Sequence, residues 1–313
     1  MTVDAPTPAL LNVLRGAVDL HCHSGPSPFP RRIDHVEAAH DGARIGMRAI
    51  LCKSHHHNTV MDLLAMRAAL AGAPTSVYGG VALNSEVGGI NPSAVALAIQ
   101  MGGRCIWGPT VSAAQHLCAH RDGDGFPAAV GRLYEQEVSV FDSHGDVSAE
   151  TCLVTELIAD SGILLTGGHL DAESIRALFR TARDNGVTRL LLHHPDFIVG
   201  ATDADIEELV GYGAFVEHEL AMFHPDSAVP GWSIERLVDW IVKVGPERTV
   251  ISSDLGQQGN PLPVDAYLTV VPQLLDHGIS EADVRQMICH NTAFLLGLEE
   301  TTAGATPGPS TGS

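Results

Sequence analysis

Residues able to bind a cation or move a proton are unevenly placed along this chain. Many of its 17 histidines follow short apolar runs: His21 and His23 in DLHCHS, His55, His56 and His57 in KSHHHNT, His169 in TGGHL, His193 and His194 in LHHPDF. Asp254 closes a similar run, TVISSD. Alternate side chains of a strand share a face, so His21 and His23 point the same way and can hold one metal ion. A lone H-x-H is weak evidence, because two polar residues at a strand end are common. The Ser24-Gly25-Pro26 loop that follows and the later His and Asp strand ends strengthen it. Alternation also pairs Glu217 with Glu219 against His218, and Glu217 is expected inward as a ligand or proton shuttle. Such a mixture of imidazole and carboxylate suits Zn²⁺, or Mn²⁺, Fe²⁺ or Ni²⁺.

These residues need a scaffold that gathers distant strand ends. Apolar or β-branched runs at 18–23, 48–53, 76–83, 104–110, 163–169, 189–194, 214–219 and 249–254 alternate with helix-like segments. Nearly continuous apolar strands belong to a parallel sheet covered on its outer face. Helix starts are marked by Asn58, Asn91, Asp171, Thr202 and Ser233, and stops by Gly72, Gly102, Gly186, Gly211 and Gly245. A side-chain oxygen is expected to cap each start, and glycine tolerates the turn at each stop. Eight βα units favour an α/β fold of the (β/α)₈ TIM-barrel type, whose active sites lie at the C-terminal strand ends. The expected organisation is one barrel over residues 1–300, with an insertion at 111–160 that includes the hairpin-like EVSVFDSHGDVS. A Gly/Pro/Ser/Thr-rich tail at 301–313 is expected to be disordered.

DLHCHS, TGGHL, LHHPDF and SSDLG together resemble the amidohydrolase superfamily, with H-x-H on the first strand, His on the fifth and sixth, and Asp on the eighth. The likeness spans roughly residues 17–298. More narrowly, KSHHHNT, GGVALNSEVGGINPSAV, SSDLGQQGNPLP and HNTAFLLGL resemble a functionally unassigned bacterial subgroup. The resemblance implies metal-site residues His21, His23, His169, His194 and Asp254, with His194 preferred over His193 because it precedes Pro195-Asp196. It also implies that Asp254 is the catalytic base. The chain departs from the pattern at the fourth strand, RCIWGPT, which has neither the lysine nor the glutamate that bridges two metals in many members. Lys53, His55 or Glu217 are the available substitutes. Lys53 is otherwise a catalytic, substrate-side cation or a structural ion-pair partner, and His55 a substrate contact. His56 and His57 read as loop residues. Asn84, Trp107 and Thr110 lie near strand ends where a pocket wall is expected, with core packing the default for Trp107.

The function expected is hydrolysis of an amide, lactam, lactone or ester bond of a small-molecule substrate by water activated on one or two ions. Rival readings are a PHP-type phosphoesterase, a metal-dependent decarboxylase, and a non-catalytic metal-binding barrel. The first is weakened because Lys53-Ser54-His55 replaces its usual Asp-His element. No G-x-S-x-G or G-x-x-x-x-G-K-[ST] motif occurs, which argues against a serine hydrolase and a nucleotide cofactor. A net charge of −19 disfavours nucleic acid and anionic membrane as partners. No apolar run is long enough to span a bilayer. The N-terminus lacks a basic start followed by an apolar stretch, and the six cysteines form no C-x-x-C pair. A cytoplasmic protein with reduced cysteines is expected, and barrels of this type often form homo-oligomers.

Overall fold

The computed structural model describes residues 5–120, 133, 136–229 and 231–298. Its strands are β1 (Val18–Cys22), β2 (Ala49–Cys52), β3 (Ser76–Tyr78), β4 (Gly80–Ala82), β5 (Cys105–Trp107), β6 (Leu164–Thr166), β7 (Leu190–Leu192), β8 (Phe215–Glu219) and β9 (Thr249–Ser252). All of them pair in parallel, in two ladders ordered β1-β2-β3 and β4-β5-β6-β7-β8-β9. β3 and β4 are halves of one barrel position, interrupted at Gly79. The cause is non-local: the Thr59 hydroxyl donates to the Cys52 and Gly80 carbonyls and accepts from Gly80 N. A Cβ at Gly79 would lie 2.6 Å from that hydroxyl oxygen. The ring closes between β1 and β9, where Asp254 N donates to His21 O (2.8 Å) and His23 N to Leu255 O (2.8 Å). The fold is therefore the α/β barrel, with all eight anticipated strand positions present.

Residues from around the ring, among them Val18, Leu20, Ala49, Leu51, Trp107, Leu164, Leu191 and Val250, pack together as the barrel interior. The opposite faces of the strands pack in two further clusters, one including Ile50 and Ile251, the other Ile106, Leu165 and Leu192. Trp107 fills the interior at the strand where a bridging ligand is missing. Gly80 makes room for it, since a Cβ there would lie 2.0 Å from Cys105 O and 2.8 Å from the indole.

The helices begin largely where their caps predict. Asn58, Asn91, Asp171 and Thr202 each accept a hydrogen bond from a first-turn N–H. Ser233 does not, so the helix Ile234–Val244 starts without a side-chain cap, contrary to expectation. The helix predicted to run from Asn58 to Gly72 breaks into Thr59–Ala65 and Arg67–Leu70. Within the expected insertion, Phe141 and Val147 pair across a turn closed by Asp142 N to Asp146 O (2.8 Å). Residues 121–132 of that insertion, and the tail at 301–313, lie outside the described residues. All six cysteines are free, four of them buried. Among the described residues no helix is long and apolar enough to cross a membrane.

Candidate metal centre

Three local irregularities aim the polar side chains at the C-terminal end of the barrel. Alternation from Val18 and Leu20 would send His21 outward toward the helices. A register shift between Asp19 and Cys22 reverses the alternation, so that His21 and His23 face the interior while Cys22 packs outward. Asp19 supports this bulge by accepting from His21 N (3.1 Å) and from Ser253 N (3.0 Å). On β7 the inward phase passes through Leu191 to His193, and a left-handed turn at His194 (φ 45°) brings the next imidazole round as well. Asp254 also has a left-handed backbone (φ 52°). Such conformations cost about 1–3 kcal/mol at a non-glycine residue and persist only where the surroundings enforce them. Glu219 Oε1 accepts from His194 N (3.1 Å), and Asp254 N is tied to β1 as described above.

On β8 no irregularity is needed. Glu217 and Glu219 face inward, while His218 stacks outward on Trp240 at 5.0 Å between ring centroids. Three ligand groups result, and all share His21: with His23 and Asp254, with His193 and Glu217, and with His194 and Glu219. His21 Nδ1 lies 3.0 Å from Glu217 Oε2, and His21 Nε2 lies 3.3 Å from Asp254 Oδ1. His23 Nε2 is 3.0 Å from the same Asp254 oxygen. His193 Nε2 is 3.2 Å from Glu217 Oε2, and His194 Nδ1 is 3.1 Å from Glu219 Oε1.

Burial sets the charge states. It pushes His21 and His193 well below the usual imidazole range, reinforced by the Lys53 ammonium, and takes His23 down to about 4. A neutral ring is the form that binds metal. Burial raises Glu217 well above the carboxylate range, and the charge of Glu219 raises it further. Burial opposes ionisation of Asp254 too, but the His23 hydrogen bond and the nearby His194 more than offset it, leaving Asp254 lowered. At His194 burial is outweighed by Glu219, and its pKa is raised. Glu217 Oε1 and His193 Nδ1 are buried with no hydrogen-bond partner. Neutral imidazoles, crowded carboxylates and unpartnered buried acceptors form a donor set that a divalent cation fits. His21, His23 and Asp254 would hold it, together with one or both of the His-Glu pairs on β7 and β8.

The other expected site residues occupy different places. Lys53 is fully buried within the centre, its Nζ 3.0 Å from His21 Nε2. His55 and His169 line the cavity but stand outside the three groups. His55 Nδ1 meets Thr110 Oγ1 at 2.8 Å, and Asn84 donates to both Thr110 Oγ1 and His55 O. Asn84, Thr110 and Trp107 are thus fully buried; the first two steady His55 and none lines the cavity. His169 is re-aimed by Gly168 (φ 63°), and its Nδ1 lies 2.9 Å from Nδ1 of His116, a residue the sequence reading missed. Its one signal was the spacing from His120, which places two imidazoles on one helical face. His193 and Glu219 also join the centre, the former having been passed over for His194. A cavity of about 550 Å³ opens above, floored by His23, His55, His169, His194 and Asp254.

Residues 16–217 match the sequence model of a family of unknown function (DUF6282). The chain belongs to that family. No curated protein matches the DUF6282 chain. Among solved structures, an amidohydrolase from Pseudomonas aeruginosa aligns over 93% of this chain and 98% of its own, with TM-score 0.61 and 14% identity. The probable dipeptidase PvdM from the same organism aligns over 92% and 96%, with TM-score 0.60 and 14% identity. The organophosphorus hydrolase from Deinococcus radiodurans aligns over 90% and 92%, with TM-score 0.55 and 13% identity. At such identities the likeness establishes a common barrel fold for this DUF6282 member, and the chemistry must be argued from its own site.

Proposed function

We propose that this protein is a metal-dependent hydrolase acting on an amide, lactam, lactone or ester bond of a small molecule. The observation that carries the reading is the sharing of His21 by three His-carboxylate groups at the barrel end beneath an open cavity. The three similar structures, named as an amidohydrolase, a probable dipeptidase and an organophosphorus hydrolase, support it. When bound, a divalent cation supplies Lewis acidity, polarising a carbonyl oxygen and lowering the pKa of water to about 7. The chain does the rest. Asp254, ionised and reached from both His21 and His23, takes the proton from the attacking water and passes it to the leaving group. His55, His169 and His194 stand around the same floor and orient the substrate carbonyl. The helices and strands around the centre keep bulk water from Glu217, which pairs with His21 Nδ1.

The test is elemental analysis of tag-free protein purified without added metal, followed by a hydrolysis screen over lactones, amides and esters. About one or two equivalents of a transition metal, with hydrolysis abolished by chelation and restored by the ion, is the expected result. Protein that neither carries nor regains metal refutes the reading.

A further inference from the structure

Arg31 is not used by the chemistry above, yet it lines the cavity. The segment that carries it is clamped on both sides. Arg31 pairs with Gln257 in an antiparallel bridge, Arg32 N donates to Gly256 O (2.8 Å), Gln258 N to Pro30 O (3.1 Å), and Gly25 N to Ile33 O (2.8 Å). Gly25 leaves space for the arginine stem, since a Cβ there would sit 3.3 Å from Arg31 Cβ and Cγ. The head group is poorly matched by the protein. One Nη atom stands 3.5 Å from His23 Nδ1, and the Phe29 ring lies 5.9 Å away. Arg31 Nε is buried without a hydrogen-bond partner, and the nearest acidic charge acting on the guanidinium is Asp254, which itself pairs with His23.

A largely buried arginine with no directly paired carboxylate, only the more distant charge of Asp254 beyond His23, is unusual. Its guanidinium is charged at neutral pH, as arginine always is. A planar guanidinium with free donors matches a carboxylate or phosphate, and partial desolvation strengthens that match. Apolar side chains of Phe197, Ile198, Ala221, Ala228 and Val229 also line the cavity, and His23 and Asp254 form part of its floor. We propose that Arg31 receives an anionic group, carboxylate or phosphate, of an otherwise apolar small substrate. The claim that this anion is the substrate's rests on the hydrolase reading; the anion site itself stands without it.

The experiment is calorimetric titration of metal-loaded protein with benzoate, phenyl phosphate and benzamide, with metal content measured on each sample. Wild type should bind at least one anion tenfold or more tightly than benzamide, and the tighter anion names the group. Arg31→Gln should lose that preference while keeping its metal content and melting temperature. Arg31→Lys, which keeps the charge but not the fork, should weaken the anion several-fold, and it serves as the test if the Gln variant does not fold. Equal binding of all three probes by wild type, or an undiminished preference in the variants, overturns the proposal. A wild type that takes up no metal refutes the hydrolase reading instead, and the same titration on metal-free protein then decides the anion site alone.

Discussion

Replacing His21 with alanine removes the one imidazole common to the three ligand groups. In the metal-free protein its Nδ1 is 3.0 Å from Glu217 Oε2 and its Nε2 is 3.0 Å from Lys53 Nζ, both in a fully buried setting. Losing two hydrogen bonds to ionisable partners costs about 3 kcal/mol. The effect on metal is more diagnostic. A cation present at about 100 times its Kd stabilises the folded state by about 2.7 kcal/mol. Each kcal/mol moves the melting temperature of a chain of this size by roughly 2 °C, so saturating Zn²⁺ should raise wild type by about 5 °C. In His21→Ala every group is left with two ligands, and the rise should vanish. His23→Ala breaks only one group and should retain part of it. The assay is scanning calorimetry of chelator-treated protein with and without Zn²⁺, with elemental analysis after desalting. A His21→Ala protein that keeps wild-type metal content and the full thermal rise would refute the shared-ligand argument.

Asp254→Asn should retain metal through the imidazoles and lose about a hundredfold or more in kcat on any substrate found in the screen; near wild-type turnover would remove Asp254 as the base. His218 is held neutral by burial, with its pKa lowered to about 3. Its unfolded-state pKa is about 6.5, so the unfolded chain binds the extra proton between these values and stability falls as the pH drops through that window. At pH 5 this amounts to about 2 kcal/mol, and His218→Phe, which keeps a ring against Trp240, should lose about that much less than wild type between pH 7.5 and 5 in urea unfolding. An unchanged pH slope would show that His218 is not held neutral. Gly168→Ala places a Cβ 2.4 Å from the Gly108 and Pro109 carbonyl oxygens at a left-handed position. It should destabilise by about 3 kcal/mol, measured by the urea midpoint, and a neutral result would show that the His169 turn can relax.

The barrel was legible because its strands are apolar on both faces and its helices carry local stop and start signals. The break at Gly79 was not, because SVYGGVAL reads as one run and the interruption comes from Thr59, a helix away in sequence. Alternation put His21 with His23 and Glu217 with Glu219 on shared faces, but the register shift that turns the histidine pair inward was not visible in it. It could not choose between His193 and His194, since a left-handed turn after β7 delivers both. Arg31 had no pattern to betray it. Its position follows from backbone pairing with residues 256–258, more than 200 positions away in the chain.

The centre lies where the chain's beginning meets its end. His21 and His23 belong to the ladder β1-β2-β3, whereas His193, His194, Glu217, Glu219 and Asp254 belong to or follow strands of the other ladder. A cation held there would staple the two ladders across the β1–β9 seam, at the place where the backbone bonds of Asp254 and His23 already close it. A chain still being synthesised possesses the H-x-H pair long before Asp254 exists, and so cannot complete that group until its last strand has docked. Capture of the ion by that group would thereby wait for β9, and a chain lacking it would offer the ion only a partial grip.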